Sequence, residues 1–306
     1  MTNSKACGPI FIAGCGRSGT SLLRTIVDAH PDVYIPSESL FLVDYLRLGD
    51  CRPGLFIRWL LHHEPQLLCW YKGPEVIGDT VVRTVAGLHE NMSKTVGARI
   101  WGQKTPRFVR YRSLFEYAFP DARWVLVYRD PRAVVASMKR SGQHTNSVIR
   151  GCRRWRRDNQ EIVSFIEYPE SCPENVLLVK YEELICRFEE TMNEILRFLQ
   201  LPAVPVENLL GQAKPVFFSR SGFEINTVRN GVRPNPKRIN DWQKILRDDE
   251  IAAIEGLCAR EMSALGYDPM ASRSRGFGFF WRDLADRISD VRIIYRYIRY
   301  WPSYLL

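Results

Sequence analysis

Two stretches of this sequence carry residues at spacings suited to holding anions. The first is Ala13–Leu23, AGCGRSGTSLL, in which Gly14 and Gly19 frame a G-x-x-x-x-G loop. Between a strand and a helix, such a loop turns backbone N–H groups toward an anion, and the helix dipole adds to the attraction. Arg17 puts a positive charge inside the loop, and Ser18, Thr20 and Ser21 offer hydroxyls. Thr20 stands where a nucleotide triphosphatase carries the lysine that reaches the β/γ-phosphates, so splitting a β/γ-phosphate is disfavoured. The second stretch is Tyr128-Arg129-Asp130-Pro131-Arg132, with Ser137 further along. An arginine at a strand end and a hydroxyl facing back from the next helix make a second oxyanion site. One bis-phosphorylated nucleotide accounts for both sites. A simple kinase needs only the first, together with a metal-binding carboxylate, for which Asp130 is the one obvious candidate.

These residues need elements to position them. Pro9–Gly14, Arg99–Gln103, Arg123–Tyr128 and Asn175–Lys180 are short apolar runs of strand length. Helices are expected over Ser18–Ala29, from Pro131 onward, over Tyr181–Leu199 and over Asp248–Leu265. A further helix carries Arg150, Arg153, Arg154, Arg156 and Arg157 around Trp155, and its arginines read as a solvated face rather than a nucleic-acid stripe. Apolar strands alternating with helices imply an α/β fold, a central parallel sheet with helices on both faces and a phosphate loop after the first strand. Open sheets of this kind bind ligands at the carboxyl ends of their strands, where both anion sites fall. Residues 46–98 show no strand–helix rhythm and read as a lid or acceptor pocket, and Val216–Asn240 reads as a long surface loop.

Composition narrows the classes. With 306 residues, 45% hydrophobic and 25% charged, the chain is an ordinary globular protein rather than a disordered or collagen-like one. Its 43 Lys+Arg against 34 Asp+Glu give a net charge of +9, which suits an anionic partner. No apolar stretch is long enough to span a bilayer, and the short polar start, Met1 to Gly8, leaves no room for a signal peptide or anchor. The 8 cysteines form no C-x-x-C pair and no zinc spacing with histidine, so reduced thiols and a cytoplasmic location are expected.

With these residues in view, the sequence resembles the sulfotransferases that use 3′-phosphoadenosine 5′-phosphosulfate (PAPS). The order of motifs is similar to that of the tyrosylprotein sulfotransferases and related bacterial enzymes. It runs Arg17–Thr20, Val27–Val33 (V-D-A-H-P-D-V), Glu38, Gln103–Pro106 (Q-K-T-P), then Arg129–Ser137. The resemblance implies a P-loop-like three-layer fold and an enzyme that transfers a sulfuryl group to an acceptor hydroxyl, leaves 3′,5′-ADP and needs no metal. It implies that Arg17, Ser18, Gly19, Thr20 and Ser21 wrap the 5′-phosphosulfate. Arg129 and Ser137 would hold the 3′-phosphate, Glu38 would be the general base, and Lys104 with Arg17 would stabilise the transferring group. Tyr181 would touch the nucleotide, and Lys237 and Arg238, before Trp242, would close over it.

Departures from the tyrosylprotein pattern turn the acceptor expectation toward a carbohydrate, glycolipid or other small molecule. Ser37-Glu38 replaces an acidic pair, and the membrane anchor and peptide-binding segment have no counterpart. Protein tyrosine is the alternative; an ATP-dependent small-molecule kinase and a non-catalytic membrane or nucleic-acid binder are the readings from other classes. The catalytic domain is expected over residues 1–270 and a basic aromatic tail over 271–306. In that tail Leu284, Ile288, Val291, Tyr295 and Ile298 recur at helical spacing. The segment 277–306 could lie on an anionic membrane, pack on its own domain or join a second subunit in a homodimer.

Overall fold

The computed structural model describes residues 8–36, 38–40, 42–48, 79–141, 145–213, 234–270 and 283–285. In chain order the elements begin with β1 (Ile10–Gly14), α1 (Thr20–Val27), β2 (Val33–Tyr34) and α2 (Leu42–Leu48). There follow α3 (Val81–Thr95), β3 (Ile100–Lys104), a 3₁₀ turn (Pro106–Tyr111), α4 (Arg112–Ala118) and β4 (Arg123–Tyr128). Then come α5 (Pro131–Ser141), α6 (Val148–Glu167), β5 (Val176–Lys180), α7 (Tyr181–Cys186) and α8 (Phe188–Phe198). The last are α9 (Val206–Gln212), α10 (Asp248–Leu257) and α11 (Ala259–Ala264).

The strands form one parallel sheet in the order β2-β3-β1-β4-β5. The chain leaves β1 toward β3 and β2 on one side, then crosses back to β4 and β5 on the other. That reversal opens a crevice at the carboxyl ends of β1, β3 and β4. The register brings those ends level, with Ile12 paired to Lys104 and Gly14 to Val127. Every residue of β1 and of β3 is buried, as a strand covered on both faces requires.

Side-chain alternation divides the core into two layers. Phe11, Ala13, Trp101, Trp124 and Leu126 face α4, α5 and α6. Ile10, Ile12, Val125, Val127 and Val179 face α1, α8 and α9. The first layer is strongly aromatic: Phe11 stacks on Trp124 with ring centroids 4.6 Å apart and meets Phe115 edge-on at 5.3 Å.

The sequence-based strands hold to within a residue or two, and two of the expected helices are broken. Tyr181–Leu199 is interrupted at Arg187, whose φ of −120° and ψ of 49° leave the helical region between α7 and α8. Asp248–Leu265 is interrupted in the same way at Cys258, φ −111° and ψ 10°. Both breaks sit within an unbroken apolar stripe, so periodicity alone could not register them. The stretch without rhythm contains a regular helix, α3, whose N-cap Thr80 accepts a hydrogen bond from the Arg83 N–H. Most of the 216–240 loop and most of the C-terminal tail lie outside the described residues. Asp283, within the tail, is described: its carboxylate accepts from Ser147 Oγ at 2.9 Å and from the Ile149 N–H at 3.1 Å, at the start of α6.

Phe11→Ala removes the side chain that joins the aromatic layer to the central strand. It should cost about 3–5 kcal/mol, read from chemical denaturation.

Candidate active site

The loop after β1 owes its shape to two left-handed residues. Arg17 has φ 75° and Gly19 has φ 98°. Gly19 tolerates this freely; Arg17 does so at a cost, and is held by its contacts. Its Nε donates to Ser137 Oγ at 3.0 Å, and its carbonyl accepts from Arg129 Nη1 at 3.2 Å. The two anion sites read separately from sequence are therefore in direct contact. Arg129 also lies over the Tyr181 ring, 4.1 Å from its centroid, and a Cβ on Gly19 would fall 2.3 Å from that same ring. Tyr181 thus packs against both the loop and the second arginine.

The arginines are concentrated here against their mutual repulsion. Burial, then the charges of Arg129 and Arg140, and more weakly that of Arg154, hold the Arg17 guanidinium below its usual range, with Glu38 acting against them. Asp130 does not neutralise Arg129. Its carboxylate takes a bidentate grip from Arg132, with Oδ2 2.7 Å from Nη2. Arg132 also bonds Glu255 at 2.7 Å and lies over Trp242. With its oxygens committed in this way, Asp130 is a poor metal ligand, and no group of potential metal ligands occurs among the described residues. Trp155 on α6 fixes Arg129 from behind, its Nε1 donating to the Arg129 carbonyl at 2.8 Å.

Glu38 and Lys104 meet at the end of β3. They form an ion pair, and Lys104 Nζ also donates to Ser21 Oγ at 3.1 Å. The lysine is almost wholly buried, whereas the Glu38 side chain is 39% exposed, open on the crevice side. The V-D-A-H-P-D-V segment aims the chain at this point and makes no chemistry of its own. Asp28 Oδ1 accepts from the Ile35 N–H at 2.6 Å, and Arg24 Nε reaches the Ile35 carbonyl at 3.0 Å. His30 accepts from the Asp32 N–H and reaches the Pro202 carbonyl, while Asp32 pairs with Arg99 at 2.6 Å.

Lys237 and Arg238 make no bond to this assembly among the described contacts, although their turn packs beside α7, the helix that Tyr181 opens. They lie in a 3₁₀ turn, Pro236–Arg238, where Arg238 pairs with Asp241 at 3.3 Å. Neither touches Arg17, Arg129 or Ser137 among the described contacts, and Trp242 is buried against Arg132. Sequence reasoning also missed a participant. Arg153, Arg156 and Arg157 are exposed, as a solvated face demands, but Arg154 turns inward. A Cβ on Gly16 would fall 2.8 Å from its guanidinium. A glycine at position 16, facing an arginine-rich helix, was the available signal.

Comparison with known proteins now fixes the family. Residues 9–205 match the model of the sulfotransferase family. The chain belongs to that family. Across 86% of its length it is 28% identical to protein-tyrosine sulfotransferase 1 of Danio rerio, covering 73% of that protein. It is 26% identical over 86% of its length to protein-tyrosine sulfotransferase A of Caenorhabditis elegans, covering 68% of it. Among solved structures, the sulfotransferase domain from the curacin biosynthetic pathway superposes over 87% of this chain and 100% of its own, with TM-score 0.60 and 18% identity. The P-loop-like α/β fold is thereby confirmed, and the protein is a sulfotransferase.

The residues present fit PAPS. Each anion site holds a buried polar atom with no partner among the described residues, Ser18 Oγ in the first and Arg129 Nε in the second. Gly19→Ala would force a side chain into the Tyr181 ring at a left-handed backbone position. The variant should lose the rise in Tm that 3′,5′-ADP gives the wild type; an undiminished rise would contradict the placement of the nucleotide over this loop.

Proposed function

We propose that the protein transfers a sulfuryl group from PAPS to the phenolic hydroxyl of a protein tyrosine. The observation that carries the transfer chemistry is the convergence of Arg17, Lys104 and Glu38 at the carboxyl ends of β1 and β3. The acceptor rests on the names of the relatives, which are protein-tyrosine sulfotransferases matched over most of this chain. The carbohydrate or glycolipid acceptor expected from the sequence has no such support.

PAPS supplies the sulfuryl group and departs as 3′,5′-ADP. Arg129 and Ser137 would hold its 3′-phosphate, while Ser18, Gly19, Thr20 and the first turn of α1 would hold the 5′ end. Arg17 belongs to both, since its backbone is in the loop and its Nε is on Ser137. A tyrosine hydroxyl has an ordinary pKa near 10, so its attack needs a base. Glu38 is placed to take that proton as the new S–O bond forms. Lys104 pairs with Glu38 and with Ser21, from where it would offset negative charge on the departing phosphate oxygen. A lysine this deeply buried carries its charge into a poorly solvated site, where it acts strongly.

The kinase reading loses its main support because the Asp130 carboxylate is held by Arg132. In a thermal-shift comparison, 3′,5′-ADP should raise Tm, whereas ATP–Mg²⁺ and RNA at equal concentration should not. Glu38→Gln should lower turnover of a tyrosine peptide by about 10²–10⁴-fold while affinity for 3′,5′-ADP stays within a factor of about two. Unchanged turnover would remove Glu38 from the base role.

A further inference from the structure

Glu38 lies in a stretch without regular structure, between β2 and α2. Its position is therefore set by side-chain bonds rather than by a ladder. The neighbouring Ser39 supplies them. Ser39 is fully buried; its N–H donates to Thr105 Oγ1 at 2.9 Å, and its Oγ donates to Gln103 Oε1 at 2.6 Å. Gln103 and Thr105 are the residues on either side of Lys104. The loop is thus stapled to the end of β3 on both sides of the lysine that Glu38 must face.

The staple extends inward. Gln103, itself fully buried, donates from its amide to His89 Nε2. His89 Nδ1 in turn reaches the Val85 carbonyl at 2.7 Å, and the ring packs on Trp101 with centroids 4.5 Å apart. A carbonyl can only accept, so Nδ1 carries the proton. Burial pushes the His89 pKa down to about 4, so the ring is neutral and Nε2 is an acceptor. The amide of Gln103 must then present N–H to His89 and its oxygen to Ser39. Every bond runs one way: Ser39 to Gln103, Gln103 to His89, His89 to the α3 backbone.

We propose that Ser39, Gln103 and His89 are positioning residues, a directional hydrogen-bond chain that sets the Glu38 carboxylate opposite Lys104. The inference rests on the reading of Glu38 as the base. A buried polar chain adds little net stability over an apolar filling of the same shape. What it adds is direction: with His89 fixed by α3, the Gln103 amide cannot turn over without setting its oxygen against the His89 Nε2 acceptor and leaving both unpaired. A misplaced base is costly, since an error of about 1 Å at a reacting group can lower a rate by about 100-fold.

A double-mutant cycle separates positioning from bulk structural damage. Ser39→Ala keeps the backbone bond to Thr105 and removes only the link to Gln103. In the wild-type background it should lower kcat about 10- to 100-fold, with KM for PAPS and affinity for 3′,5′-ADP unchanged. In the Glu38→Gln background it should have no further effect, because there is no base left to position. Ser39→Thr, which keeps the hydroxyl, should restore most of the rate. His89→Phe preserves the packing on Trp101 but withdraws the acceptor, and should repeat the pattern from the far end of the chain. Equal losses in both backgrounds, or full activity of Ser39→Ala and His89→Phe, would overturn the proposal. Full activity of Glu38→Gln alone would instead overturn the reading of the base.

Discussion

The constraint on which the structure turns is the gathering of arginine charge at one crevice. Arg17 and Arg129 are in contact, with Arg140 and Arg154 near enough to act on Arg17. Such charges repel more strongly as burial lowers the local dielectric response. Carboxylates relieve this only in part: Glu38 acts on Arg17, and Asp158 pairs with Arg154 at 3.6 Å. The fold also uses neutral acceptors, the Ser137 hydroxyl and the Arg17 carbonyl. Asp130 is turned to Arg132, Asp158 is shared between Arg154 and Arg110, and Glu182 accepts from the Asp130 N–H and the Tyr267 hydroxyl. The result is a crevice with a surplus of positive charge, suited to an anionic ligand.

Holding that arrangement together falls largely to α6 and the C-terminal helices. α6 gives Trp155 to the Arg129 carbonyl and lays Arg154 against Gly16. Its own N-terminus is capped by Ser147 and by Asp283, a carboxylate brought from more than 100 residues away, as a helix dipole favours. From the other side, Glu255 on α10 and Tyr267 beyond α11 secure the turn that carries Arg129 through Arg132 and Glu182. The C-terminal helices thereby brace the turn that carries Arg129.

The sequence made the first layer of this legible and concealed the second. The glycine loop, Arg129 and Ser137 could be read because a strand, a turn and a helix fix where each must lie, and spacing alone encodes that. Glu38 and Lys104 are 66 residues apart, and only the likeness to a family joined them; the parallel pairing of β2 with β3 is what brings them together. Arg154 was invisible because a helix with five arginines looks solvated until the neighbouring strand shows which one turns inward. The breaks at Arg187 and Cys258 were invisible because the apolar stripe runs through them. For Lys237 and Arg238 the sequence offered only a basic pair before a tryptophan, and that tryptophan packs on Arg132. The net charge of +9 divides accordingly, one part fixed at strand ends for a small anion and another in the tail.

The central claim is that the two anion sites are two halves of one nucleotide site, joined by Arg17 and Ser137. Isothermal calorimetry with 3′,5′-ADP and 5′-ADP on the wild type and on Arg129→Ala tests it most directly. The wild type should prefer 3′,5′-ADP by about 100-fold or more, the worth of charge-assisted bonds to one phosphate. Arg129→Ala should lose most of that preference while binding 5′-ADP nearly as before. Equal affinity of the wild type for the two nucleotides, or a preference untouched by the substitution, would contradict the account.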